Sequence, residues 1–138
     1  MTPPPHAVPP SEARIQEESW GRMAWLAEHR PGGPDPGLSL AVMSVAPGAA
    51  TPWHRHTNCS EALYVTAGRL RIRRGGEAID CGPGDSVVIP RDCPHAAENP
   101  SPTEASAVIT YSAGRRDYQV VSPDEPGPAT SKAARPSR

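Results

Sequence analysis

The sequence predicts an all-β protein, a small antiparallel barrel of the jelly-roll type. Two observations carry that expectation. Apolar and β-branched runs of four to nine residues recur along the chain, separated by Gly- and Pro-containing breaks. One of them, Arg69–Arg73, alternates Arg-Leu-Arg-Ile-Arg with strict period two, the pattern of a strand with one buried face. Strands at such short, regular spacing close into a sandwich or barrel.

Each element follows from its local composition. Glu12–Ser19, with Ser11 as cap, is the one stretch suited to a short helix. Ser19–Ala27 mixes two tryptophans with Met23 and Leu26. Arg30–Gly37 holds three Pro and three Gly and reads as a loop. Leu38–Ala46 is continuously apolar, as a strand buried on both faces would be, and Pro47-Gly48 ends it. Ala62–Thr66 is a further strand, turned by Ala67-Gly68. Gly75-Gly76 is a hairpin turn between Arg69–Arg73 and Glu77–Cys81. After Gly82–Asp85 come the strands Ser86–Ile89, His95–Asn99, Thr103–Tyr111 and Tyr118–Val121.

The chain has 138 residues and 19 prolines, five of them in residues 1–10 and four in 122–138. Pro-rich ends poor in large apolar groups do not offset the entropy of ordering. The expected organisation is a tail over 1–10, one domain over 11–121 and a second disordered tail over 122–138. A net charge of −1 argues against a nucleic-acid partner. No apolar run reaches the ~20 residues of a membrane span, so no membrane partner is expected. Residues 1–10 carry no apolar stretch of signal-peptide length. Cys59, Cys81 and Cys93 are odd in number and lack C-x-x-C spacing, which suits reduced thiols. A cytoplasmic location is the expectation, and Asn58-Cys59-Ser60 is then a chance match to a glycosylation acceptor.

Chemistry concentrates in His54, His56, Glu61 and His95. Residues i and i+2 of a strand share a face, so His54 and His56 project into one space. Parity alone puts Glu61 on the opposite face. The segment Thr57-Asn58-Cys59-Ser60 must therefore be irregular for Glu61 to swing back. His95 arrives from a separate strand after the turn at Arg91–Pro94. Three imidazoles and a carboxylate converging inside a barrel would form a metal site.

These residues carry a resemblance to the cupin superfamily. The first cupin motif, G-x5-H-x-H-x4-E-x6-G, is met by Gly48, His54, His56, Glu61 and Gly68. The second, G-x5-P-x-G-x2-H-x3-N, is met by Gly84, Pro90, His95 and Asn99, with Cys93 where the family has glycine. A positive φ at that position would strain a cysteine. The resemblance covers about Leu38–Tyr111. It implies a small antiparallel barrel with one divalent metal held by His54, His56, Glu61 and His95.

An octahedral ion with four protein donors keeps two adjacent open positions, room for a chelating substrate or for substrate and O₂ together. Zinc, by contrast, would already have the four ligands of a closed tetrahedral site. Iron(II) is therefore favoured, with Mn, Ni, Co, Cu and Zn also compatible with the mixed N/O donor set. The resemblance then implies an enzyme on a small organic substrate, foremost an Fe(II)-type dioxygenase. An O₂-independent isomerase, cyclase or lyase, and a non-catalytic small-molecule-binding or accessory protein, are the alternatives.

Trp53, Tyr64, Cys93 and Tyr111 are candidate substrate-pocket residues, each with ordinary packing as its competing role. Arg69, Arg71 and Arg73 lie opposite Leu70 and Ile72 and read as a solvated stripe. Arg91 and Cys59 are given surface and packing roles. A strand around Trp20–Leu26 would present an edge to be covered, and with the resemblance it predicts a homodimer.

Overall fold

The structure, a computed structural model, describes residues 3–127; residues 1–2 and 128–138, the outermost parts of the two predicted tails, lie outside the described residues. The described chain is built from eleven strands and one 3-10 turn at Pro10–Glu12. The strands are β1 (Arg14–Glu18), β2 (Gly21–Ala27), β3 (Ser39–Val45), β4 (His54–Arg55), β5 (Glu61–Ala67) and β6 (Leu70–Arg74). They continue with β7 (Glu77–Cys81), β8 (Ser86–Ile89), β9 (Ala96–Glu98), β10 (Ala105–Tyr111) and β11 (Gln119–Val120).

One layer is a six-stranded antiparallel sheet in the order β1-β2-β3-β10-β5-β8. The facing layer combines the sheets β7-β6-β9 and β11-β4. Bridges between Ala50 and Glu98 and between His54 and His95 join these two pieces. The core lies between the layers and is filled from alternate strand positions. Met23 and Trp25 enter from β2, Ala41, Met43 and Val45 from β3, Leu63 and Val65 from β5, Leu70 and Ile72 from β6, and Ala107 and Ile109 from β10. The expected all-β, antiparallel jelly roll is the observed fold.

The period-two segment behaves as its pattern requires. Leu70 and Ile72 are buried, while Arg71 and Arg73 turn outward to pair with Asp80 and Glu98. Gly75-Gly76 closes the β6–β7 hairpin between the paired residues Arg74 and Glu77, and Gly75 takes φ +58°.

Three expectations are corrected. Glu12–Ser19 is not helical: Arg14–Glu18 pairs along its length with β2, from Arg14↔Trp25 to Glu18↔Gly21. Ladder bonds to a neighbouring strand outweigh the favourable but small helix propensity of Arg, Gln and Glu. The strand at Trp20–Leu26 is consequently no edge, because β1 and β3 flank it. Leu38–Ala46 is not buried on both faces either. Ser39, Ala41, Met43 and Val45 are buried, whereas Leu40, Val42 and Ser44 are only half-buried.

Candidate metal centre

His54 lies on β4 and faces His95 across a reciprocal backbone pair, His54 N–H to His95 O at 3.0 Å and His95 N–H to His54 O at 2.9 Å. Directly paired residues project to the same face, which sets the two rings 4.3 Å apart between centroids. His56, two residues beyond His54, follows on the same side at 5.0 Å. Residues 57–60 contain no strand, and Glu61 opens β5 with its side chain turned inward beside Leu63 and Val65. The irregular segment that parity demanded is present.

All four side chains are buried, at 3–6% exposure, and their donor atoms lie within 4.8 Å of one another. Each imidazole is held at Nδ1 by a carbonyl oxygen, which can only accept. His54 Nδ1–H donates to Pro52 O at 2.7 Å, His56 Nδ1–H to Asp117 O at 2.6 Å, and His95 Nδ1–H to Cys93 O at 2.8 Å. These bonds place the ring proton on Nδ1 and leave the Nε2 atoms facing inward as lone-pair donors. Glu61 Oε1 stands 3.1 Å from both His56 Nε2 and His95 Nε2.

Acceptors gathered this closely in a buried space need a cation or added protons between them. His56 Nε2 is in fact left without a hydrogen-bond partner. Burial and the neighbouring groups perturb His54, Glu61 and His95. Burial, helped by His95, drives His54 down to about 3, so it stays neutral. Burial opposes ionisation of Glu61, but the adjacent His56 and His95 rings outweigh it and hold the carboxyl well below its usual range. Burial lowers His95, yet the Glu61 contact reverses this and raises it. Neutral imidazoles with inward Nε2 atoms and an ionised carboxylate are the donor set a divalent ion requires. The cluster is able to bind one metal ion.

The space at the centre is small, about 20 Å³, enough for roughly one water molecule. Its walls are mainly apolar, with Met23, Met43, Leu63, Ile72, Ile89 and Ile109 among them. Tyr111 also lines it, and burial holds its hydroxyl far above the usual range, hence neutral. The other pocket candidates lie elsewhere. Tyr64 is 51% exposed on the outer face of β5. Cys93 lines a separate groove with Arg74 and Pro94. Trp53 is half-buried and does not line the central space. Counted from Pro90, the glycine position of the second motif is Asp92 and not Cys93, and Asp92 is the residue that takes the left-handed φ, 66°, so the strain foreseen for Cys93 does not arise.

Two residues unforeseen in the sequence complete the site. Tyr118 stacks on His54 at 4.5 Å, and the Arg116 guanidinium lies over Trp25, Tyr111 and Tyr118 at 5.0, 5.2 and 4.8 Å. Both ride on a strap strung to the segment between His56 and Glu61. Asn58 donates to Arg115 O and accepts from Asp117 N–H, and the Asp117 carboxylate accepts from Thr57 N–H and its hydroxyl. No motif marks the strap, and only the folded chain brings it about sixty positions back to the histidines.

An antiparallel two-layer barrel with a buried three-histidine, one-carboxylate cluster defines a class of small metal-binding β proteins. The chain belongs to the cupin family: residues 41–111, just over half of it, match the Cupin domain. Germin-like protein subfamily 2 member 3 of Arabidopsis thaliana is 33% identical over 92 residues, covering 63% of this chain and 42% of that protein. The chain spans less than half the length of the curated relatives it matches. Among solved structures, oxalate oxidase in complex with the substrate analogue glycolate shares 27% identity at a TM-score of 0.58, over 62% of this chain and 46% of that one. The polyketide cyclase RemF from Streptomyces resistomycificus aligns over 88% of this chain and 86% of its own at a TM-score of 0.67. At 19% identity it shows a shared fold alone. No helix among the described residues is long and apolar enough to cross a membrane.

Proposed function

We propose that this cupin is a divalent-metal-dependent enzyme acting on a small organic substrate, with iron(II)-type dioxygenase or other oxidoreductase chemistry, and that His54, His56, Glu61 and His95 are the metal ligands. One observation carries the reading. Apart from those residues, no Asp, Glu, Lys or His among the described residues lines the central space. With only the Tyr111 and Tyr118 hydroxyls and Arg116 as further titratable groups beside the cluster, this lining supports chemistry drawn from an ion held there. A bound ion would supply Lewis-acid polarisation of a coordinated oxygen and, if redox-active, electron exchange with O₂.

The chain's own residues set the conditions. Carbonyls of Pro52, Cys93 and Asp117 fix the ring orientations and tautomers. Glu61 supplies the single negative charge. Met23, Met43, Leu63 and Ile109 exclude water, which strengthens every electrostatic contact inside. Tyr111, kept neutral, offers a hydroxyl without a competing charge.

The oxalate oxidase likeness supports oxidative chemistry, and it covers 46% of that chain. A second reading is an O₂-independent cyclase, isomerase or lyase. The exposed Tyr118 ring, which also lines the cleft outside, favours it, since an aromatic face suits a planar unsaturated substrate. The proposal includes a homodimer, supported by the unpaired outer edge of β1. It also includes a cytoplasmic location, supported by three free buried thiols.

The test is elemental analysis of protein purified without chelator, followed by oxygen-electrode assays with hydroxy acids, keto acids and phenols. One iron per chain and substrate-dependent O₂ uptake are expected. Stoichiometric zinc without O₂ uptake would move the assignment to the second reading.

A further inference from the structure

The central space is too small for an organic substrate, yet a cleft of about 410 Å³ opens directly outside it. The two share Trp20, Arg116 and Tyr118, so these side chains form the wall between them. Cleft charges other than Arg116 are already engaged. Glu28 is held by Arg14 at 2.9 Å and Arg30 at 3.3 Å. Glu18 accepts from Gln16, and Arg115 donates to His29 O. Arg116 differs. Among the described residues its guanidinium donates no hydrogen bond and forms no ion pair, and it lies over the rings of Trp25, Tyr111 and Tyr118. Contacts over ring faces leave the N–H edges of a guanidinium free for a planar acceptor.

We infer that Arg116 is the specificity-determining residue of this site and that it selects a substrate bearing a carboxylate. The inference rests on the enzyme reading above and names the substrate class. A carboxylate matches the planar N–H fork in a bidentate geometry that no neutral amide or alcohol reproduces. The substrate's carbon skeleton then lies against Trp20 and Trp25 in the outer cleft, with its carboxylate end at the wall nearest Glu61 and the histidines. The strap bonds of Thr57 and Asn58 to Asp117 and Arg115 hold Arg116 at this junction.

The test compares the full-length chain with Arg116→Gln and Arg116→Lys by isothermal titration. The probes are acetate, benzoate, phenylacetate and cinnamate, each against its primary amide. Titrations are run on chelator-treated and on metal-loaded protein. In the parent chain at least one acid should bind ten- to a hundred-fold tighter than its amide, the range expected for a charge-assisted pair. Arg116→Gln should erase that preference at unchanged metal content. Arg116→Lys, which keeps the charge and loses the fork, should retain part of it. Absence of any acid preference in the parent chain, or its survival in Arg116→Gln, overturns the inference. Should Arg116→Gln fail to fold, the parent acid–amide comparison and a severalfold loss in Arg116→Lys decide it. Carboxylate preference in a chain that takes up no metal sinks the enzyme reading alone; metal uptake without the preference sinks this inference alone.

Discussion

Replacing Glu61 by glutamine should push metal affinity and metal-free stability in opposite directions under alkaline conditions. In the parent chain Oε1 sits 3.1 Å from two Nε2 atoms whose rings keep their protons on Nδ1. With metal removed and His95 neutral, three acceptors face one another in a buried space. A glutamine amide turns one of these contacts into a donated hydrogen bond, a gain of about 1 kcal/mol. At pH 6 the balance reverses. The raised His95 is then protonated and donates to the Glu61 carboxylate, a charge-assisted bond of about 1.5–3 kcal/mol that glutamine forfeits. Metal acts on top of this. At a hundred-fold excess over its dissociation constant an ion stabilises the folded chain by about 2.7 kcal/mol, roughly 10 °C in Tm for a domain of this size. Without the anionic donor that shift should drop below about 3 °C. Scanning fluorimetry of both proteins at pH 6.0 and 8.5, with EDTA and with Mn(II), Fe(II), Co(II), Ni(II) or Zn(II), measures all of these. An equal metal-induced shift in the two proteins would refute the role of Glu61. So would the absence of any shift in the parent chain.

The metal-free protein should be most stable near pH 6–7. His54, held at about 3 against 6.5 for a free imidazole, stays neutral while the unfolded chain takes up a proton, so stability falls as pH drops from about 6.5 toward 3. The depressed Glu61 adds a further loss below about 4.5, whereas the raised His95 contributes stability that is complete below 6.5 and fades as pH climbs through its folded value. Urea midpoints in EDTA that rise steadily through pH 8 would contradict this sign. Gly68→Ala should destabilise by about 2–4 kcal/mol. The position has φ +72°, and an added Cβ would meet Glu104 O at 2.6 Å and the Ala105 Cα at 2.8 Å. Gly48→Ala, at the same φ but with nothing within 4 Å, should cost only the backbone share of about 1–2 kcal/mol. Equal urea midpoints for the two variants would show that the close approach at Gly68 is not felt.

Local chemistry alone was enough for the features that depend on near neighbours. Period two in Arg69–Arg73 separated Leu70 and Ile72 from the arginines, because side-chain alternation is a property of any extended chain. The i, i+2 spacing of His54 and His56, and the break needed before Glu61, were readable for the same reason. Features decided by distant partners were not. Arg14–Glu18 has helix-tolerant composition and becomes a strand only because β2 offers it a ladder. Arg116 and Tyr118 carry no motif and reach the histidines through hydrogen bonds to residues 57 and 58. Spacing along a strand is dictated by covalent geometry, which is written residue by residue. The wall that closes a cavity depends on which remote segment packs there, and only the assembled sheets determine that.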